Sequence, residues 1–384
     1  MFRKTIFWAH LSVGVATGLV VLMMSATGVL LTYERQILAW ADRSLVSEPV
    51  EGRPPLGVAE LLAAARQQEP DFAASSVTLS ANPCAPVTMS AGRGNSRMLD
   101  PYTGEMLTGE ASGLHALFDA VTGWHRWFNV GDENRNVARA ITGASNLGFL
   151  FLLLSGIYLW LPPVYNRAAF RTRLLFNPKA GGGKARDYNW HHVFGIWSVV
   201  PLAVIVASAT VFYYGWANEL VYRTFGEEPP ERGSPPPREA AAVDAMVPAG
   251  RRLPLDELTK RAATQVAGWR TMTLTLPGRA DEVARYSLDR GTGGQPQHRH
   301  DVALDTATGE VIAIERFAGS PARRTRLMLR FLHTGEALGL AGQTIAGLVS
   351  LTSVLMVWTG LALAWRRLIR PLLTRRRVLA ATTD

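Results

Sequence analysis

Four histidines occupy comparable places in the two halves of this 384-residue chain: His10, His125, His191 and His333. His10 lies four residues before Gly14 and His191 four before Gly195, with aromatic residues just upstream of both. His125 sits in Trp124-His125-Arg126-Trp127-Phe128, and His333 in Phe331-Leu332-His333-Thr334-Gly335-Glu336. Each of those segments leads through a glycine-bearing turn into a long apolar run. A neutral imidazole offers one nitrogen lone pair, so imidazoles brought together in pairs can hold a metal. An ionisable group in a membrane segment is a functional hypothesis by default. A lone histidine at a membrane end usually serves as an interfacial hydrogen-bonding residue; the fourfold recurrence is what argues for ligation.

The scaffold for these residues is read from hydropathy. Apolar residues gather into the blocks Ile6–Tyr33, Val137–Leu161, Trp190–Tyr214 and Gln343–Trp365. Each reaches the roughly 20 residues that span about 30 Å of hydrocarbon. Arg3 and Lys4 precede the first block. Arg167, Arg171, Arg173, Lys179, Lys184 and Arg186 lie between the second and third, and Arg366, Arg367, Arg370 and Arg375–Arg377 follow the fourth. These cations account for the net charge of +9, and the rest of the chain is slightly acidic. The distribution predicts a multi-pass membrane protein with both termini cytoplasmic and the large loops on the opposite side. Nucleic-acid binding is excluded, because it would put the basic residues on a soluble segment. The first block is read as a retained helix, since its apolar run exceeds a signal core of about 7–15 residues. Cys84 is the only cysteine, so an intrachain disulfide and Cys-x-x-Cys-His haem attachment are both ruled out.

The expected organisation is helix one over 1–41, a first α+β unit over 42–113, and an amphipathic histidine segment with helix two over 114–163. A basic loop over 164–189 and helix three over 190–216 follow. A linker with a second α+β unit then covers 217–325, the second histidine segment with helix four 326–367, and a basic tail 368–384. Within the first unit, Leu56–Gln68 has helical spacing and Ser76–Ser80 and Pro86–Ser90 read as strands. Leu255–Gln265, Arg270–Leu276 and Ala284–Leu288 repeat that order. Both units close on an Asp-x-x-Thr-Gly-Glu turn, Asp100–Glu105 and Asp305–Glu310, each expected between two strands. Glu227–Pro237 is Pro- and Glu-rich and reads as a linker. The chain is thus a tandem duplication around a four-helix bundle.

A pseudo-twofold between the halves places His10 opposite His191 near one membrane face, and His125 opposite His333 near the other. At 1.5 Å per residue, His10 lies on the order of 6 Å inside the hydrocarbon. A bare metal usually recruits three or four side chains, whereas each layer offers two. Haem brings its own four equatorial nitrogens, so bis-histidine haem b, one group per layer, suits the pattern. His192 and His115 are the reserves; His192 is about 100° round the helix from His191, so the two cannot point to one place. His298 and His300 read as solvated loop residues. Gly14, Gly18, Gly143, Gly148, Gly156, Gly347 and Gly360 serve either close helix packing or room for a porphyrin, and Pro201 predicts a kink. Gly181-Gly182-Gly183-Lys184-Ala185 lacks the first glycine and the hydroxyl residue of a phosphate loop, and no Gly-x-Gly-x-x-Gly follows a strand. Electrons, if the chain moves them, must come from a quinol or a cytoplasmic reductant.

The two Asp-x-x-Thr-Gly-Glu units, His10, Trp124-His125-Arg126-Trp127, Trp190-His191 with Gly195, and Leu332-His333-Thr334-Gly335 resemble the PepSY-associated transmembrane family of iron-regulated inner-membrane proteins. The likeness covers nearly the whole chain, and its length and layout are similar to the branch of inner-membrane ferric-siderophore reductases. It implies two periplasmic PepSY-like domains on the bundle, His10, His125, His191 and His333 as haem ligands, and electron transfer to Fe(III) in a siderophore of hydroxamate type. Trp124, Trp127, Phe128, Tyr213, Tyr214 and Trp216 are then candidates for lining the siderophore dock, or for an interfacial belt. A second class of function is a PepSY membrane anchor that binds or restrains a periplasmic partner without catalysis. A transporter is disfavoured, because the helices carry no charge at mid-bilayer.

Overall fold

The computed structural model describes residues 1–47, 54–92, 94–107, 111–230, 252–276 and 282–373. The helices are α1 (Phe2–Leu31), α2 (Glu34–Arg43), α3 (Val58–Gln68), α4 (Ala111–Trp127), α5 (Asp132–Trp160) and α6 (Arg167–Leu174). They continue as α7 (Gly183–Tyr213), α8 (Gly215–Thr224), α9 (Leu255–Gln265), α10 (Pro321–His333) and α11 (Gly339–Leu368). The strands are β1 (Ser76–Ser80), β2 (Val87–Ser90), β3 (Ser96–Leu99), β4 (Thr271–Thr275), β5 (Val283–Asp289), β6 (Arg299–Asp305) and β7 (Val311–Arg316). Two compact units result: a helical one from residues 1–32, 118–220 and 332–384, and a sheet unit from 33–117 and 221–331.

The helical unit holds four helices long and apolar enough to cross a membrane, built on α1, α5, α7 and α11. Such a helix satisfies its own backbone hydrogen bonds, as hydrocarbon demands. Round the bundle α1 packs on α5, α5 on α7, α7 on α11 and α11 on α1, so α1 and α7 stand on a diagonal. Leu153, Leu202, Val206 and Val349 form its buried centre. α7 starts at Gly183, not at Trp190, and α6 occupies part of the expected loop. Buried polar bonds explain both. Asn189 donates to the carbonyls of Thr172 and Leu175 at 2.7 and 3.1 Å, tying α6 down. Asp187, 1% exposed, accepts from Arg366 at 2.5 Å and from Arg186 at 3.0 Å. α7 runs through Pro201 as one helix. α8 occupies residues expected to begin a linker.

The sheet unit corrects the expectation of two separate α+β domains. Its strands form one seven-stranded sheet in the order β3-β2-β1-β4-β5-β6-β7. The seam is the antiparallel pair β1–β4, in register from Ser76↔Thr275 to Ser80↔Thr271. At its middle the Thr78 and Thr273 hydroxyls bond at 2.9 Å. Pairing these strands removes two open edges that separate domains would present. One core serves both halves: Val58, Leu61 and Leu62 of α3 and Leu258 and Ala262 of α9 pack on Val77, Met89, Met272, Leu274, Tyr286 and Leu304 of the strands. Asp256 of α9 also accepts the Val58 N–H at the start of α3, at 2.5 Å.

The two acidic turns are built alike. Asp100 N–H donates to the Glu105 carbonyl and Gly104 N–H to the Asp100 carbonyl, both at 2.9 Å; Asp305, Glu310 and Gly309 repeat the pattern at 2.9 Å. Gly104 and Gly309 take φ of +75° and +71°, where a Cβ would be strained. After the first turn the expected second strand shrinks to a single bridge, Leu99↔Met106. His300 lies on β6 opposite Leu288 and Arg316, and His298 in a short 3-10 turn; both are half-buried, so the loop assignment is corrected. Of the expected linker, 227–230 are described without regular structure, while 231–237, like Arg375–Arg377, lie outside the described residues.

Candidate functional site

At the basic end of the bundle, His10 of α1 and His191 of α7 line one cavity of about 1410 Å³. His10 Nδ1 lies 2.8 Å from Ser155 Oγ on α5. That hydroxyl already donates to the Phe151 carbonyl at 2.7 Å, so it accepts from the imidazole N–H. His191 Nδ1 lies 3.1 Å from the Met356 carbonyl and 3.2 Å from Thr359 Oγ1, both on α11. A carbonyl can only accept, so here too the proton is on Nδ1. Both rings therefore carry their lone pair on Nε2, which has no hydrogen-bond partner among the described residues. Anchoring one ring nitrogen so that the other is free to ligate is how proteins orient metal-binding histidines.

A glycine follows each anchoring hydroxyl. A Cβ on Gly156 would stand 3.6 Å from His10 Cε1, and one on Gly360 would stand 3.3 Å from His191 Cε1. Gly14, Gly18 and Gly195 line the same cavity. The glycines keep side chains away from the space between the diagonal helices. That fits a flat, bulky group coordinated from two sides.

His125 and His333 come together at the other end of the same unit. Their ring centres are 6.3 Å apart, with planes at 67°. His125 Nδ1 lies 3.0 Å from Thr27 Oγ1, whose proton goes to the Met23 carbonyl at 2.7 Å. His333 Nδ1 donates to the Ile205 carbonyl at 2.8 Å. Each is held by a diagonal helix, α1 or α7, and each again leaves Nε2 without a partner among the described residues. Two imidazoles bound to opposite sides of one metal at about 2 Å per bond have centres about 6 Å apart. Gly28 lies beside this pair, 3.7 Å from His125 Cε1 to a built Cβ. Between the two levels, the buried Ser25 and Ser353 hydroxyls link α1 to α11 at 2.8 Å.

The reserve histidines differ. His192 lines the first cavity too and also has its Nδ1 on a carbonyl, that of Tyr188 at 2.8 Å, but this anchor lies on its own helix and not on a neighbouring one. Its ring stacks on Tyr188 at 4.1 Å. His115 belongs to the sheet unit and pairs with Asp42 at 2.8 Å. Among the described residues no group of three or more His, Cys, Asp or Glu could hold a bare metal ion. Sequence reasoning missed the anchors Ser155, Thr359 and Thr27. The readable signal was the matched Ser155-Gly156 and Thr359-Gly360 pairs near the ends of α5 and α11. Of the aromatic residues, Trp124 and Trp216 are exposed, and the Trp127 ring has the Arg126 and Arg135 guanidinium groups over it at 4.9 and 5.0 Å.

Comparison with curated proteins gives no match. A family model described as the PepSY-associated TM region matches residues 7–367. With four apolar helices of spanning length and a match over nearly its whole length, this is a membrane protein, and the chain belongs to the PepSY-associated transmembrane family.

Proposed function

We propose that the chain is a haem-b-containing reductase of the bacterial inner membrane that reduces Fe(III) in a periplasmic ferric siderophore and releases Fe(II). The observation that carries this reading is the shared state of four imidazoles: Nδ1 anchored to a helix, Nε2 open, in two pairs at two ends of one bundle. His10 with His191, and His125 with His333, would hold one haem each. When bound, haem supplies a one-electron carrier. The protein's own residues anchor the ligating rings, keep the slot open at Gly156 and Gly360, and line it with apolar helix faces that give way to cations. Reduction of the bound iron is the productive step, because Fe(II) is a poorer match than Fe(III) for hard oxygen donors. The positive-inside distribution supports an orientation with the His10 and His191 pair near the cytoplasmic face, where a quinol or soluble reductant would supply electrons, and the His125 and His333 pair toward the siderophore.

Optical spectra of the purified protein, oxidised and dithionite-reduced, test this directly. We expect b-type bands that weaken by about half in His10→Ala or His191→Ala, and again in His125→Ala or His333→Ala. A colourless wild-type protein would favour the non-catalytic anchor reading instead. Loss of the basic-end haem in His192→Ala, but not in His191→Ala, would move the ligand by one residue.

A further inference from the structure

The cavity that holds His10, His191 and His192 has a chemical asymmetry. It is lined by Arg3, Lys4, Arg173, Lys184, Arg366, Arg367 and Arg370, yet no Asp or Glu is among its described lining residues. Several of these cations are already engaged, Arg370 among them. Arg3 donates to the carbonyls of Leu159 and Leu161 at 2.8 Å, Arg366 to Asp187, and Arg367 lies over the Phe7 and Trp8 rings at 4.7 and 5.3 Å. Arg173 is different. Its Nη1 is buried and has no hydrogen-bond partner among the described residues. A buried guanidinium nitrogen without an acceptor is costly, and chains rarely keep one without a use.

Arg173 is not a stray side chain. It sits in the last turn of α6, whose end is stapled to α7 by the Asn189 bonds to Thr172 and Leu175. Its own carbonyl accepts the Trp160 indole N–H at 3.4 Å, which ties it to the end of α5. The chain thus fixes a planar cation at the rim of a slot whose other polar lining includes the His10 and His191 rings. An anion brought in by a ligand would satisfy it. Guanidinium matches a carboxylate in a two-pronged geometry.

We propose that Arg173 is the carboxylate anchor of this site and pairs with a propionate of the haem. It would thereby set which way round the haem enters and raise its reduction potential by neutralising the propionate. This rests on the haem reading above. Arg173 is here a positioning residue, since it acts on the edge of the group and not on the reacting atom.

The test uses full-length His333→Ala protein, which keeps only the basic-end site, depleted of haem and reconstituted in detergent. Haem b and haem b dimethyl ester are titrated separately, with the Soret band as the readout. We expect the ester, which lacks both carboxylates, to bind more weakly than the free acid by on the order of tenfold to a hundredfold, the size of a hydrogen bond to a charged group. Arg173→Leu should weaken the free acid to the level of the ester and leave the ester unchanged. Arg173→Lys should recover part of the loss, and the midpoint potential should fall in Arg173→Leu. If the protein takes up neither form, the haem reading fails. If it binds acid and ester equally well without any substitution, haem stands and the anchor is overturned; this arm needs no variant to fold. Equal weakening of both forms by Arg173→Leu would mark a structural role and also overturn it. So would an Arg173→Leu effect seen only in nanodiscs containing phosphatidylglycerol, which would assign the anion to a lipid headgroup.

Discussion

The two glycines beside the basic-end histidines make unequal predictions from one substitution. In Gly156→Ala the new Cβ meets His10 Cε1 at 3.6 Å, an ordinary contact. Alanine also favours a helix over glycine by about 1 kcal/mol. This variant should therefore be as stable as the wild type or slightly more, and should lose less of the basic-end haem than Gly360→Ala does. In Gly360→Ala the Cβ meets His191 Cε1 at 3.3 Å. Carbon atoms prefer about 3.5–4.0 Å, so the ring must retreat by a few tenths of an ångström. The retreat stretches the 3.1 and 3.2 Å bonds that hold Nδ1, moving them toward the distance where a hydrogen bond is lost. Losing one costs about 1 kcal/mol and cancels the helix gain. The expected result is near-neutral thermal stability with the basic-end haem retained less well. Thermal unfolding in detergent and the Soret absorbance per protein measure the two quantities separately. Equal haem retention in the two variants, or greater damage from Gly156→Ala, would refute the placement of His191 against Gly360.

Other substitutions probe the scaffold. Asp187→Asn weakens the acceptor of Arg366 and Arg186 in a buried site; it should destabilise by roughly 3–5 kcal/mol, and a double change of Asp187 and Arg366 to leucine should recover much of that. At the sheet seam, Thr78→Val or Thr273→Val should each cost about 1 kcal/mol by stranding the other hydroxyl. The double valine should come close to wild type, as hydrogen exchange across β1 and β4 would report. The backbone N–H groups of Thr308 and then Ala307 hold the Asp305 carboxyl below its ordinary value. Because the folded value is the lower one, this contribution is complete above the unfolded pKa near 4 and is lost as the pH falls through the folded value. Asp305→Asn should flatten the acid side of a thermal-stability profile.

Patterns with a local cause were readable in the sequence. β1 and α9 fall where the alternation and the helical spacing put them, and β4 and β5 within a residue at each end. The apolar blocks likewise mark α1, α5, α7 and α11, since a spanning helix needs nothing but length and hydropathy. What escaped depends on distant partners. The polar first turns of α7 look like loop until Asp187 meets Arg366 and Asn189 meets α6. The two acidic-turn units look like separate domains, because nothing in Ser76–Ser80 reveals that its second neighbour is β4. The histidines could be paired by repetition, but the hydroxyls that fix their tautomer belong to other helices and were visible only as Ser-Gly and Thr-Gly echoes.

The β1–β4 seam also constrains how this protein is made. Thr78 and Thr273, bonded across it, are 195 residues apart, and α5 and α7 lie between them in the chain. A nascent chain therefore carries the first half of its sheet with the β1 edge exposed while two further apolar helices are made, before the strand that covers that edge is synthesised. Truncations that end after α7 should then be prone to aggregate through β1, or to depend on a chaperone on the side to which the sheet is delivered. The seam can close only in chains that have already made α5 and α7, while α11 is still to come.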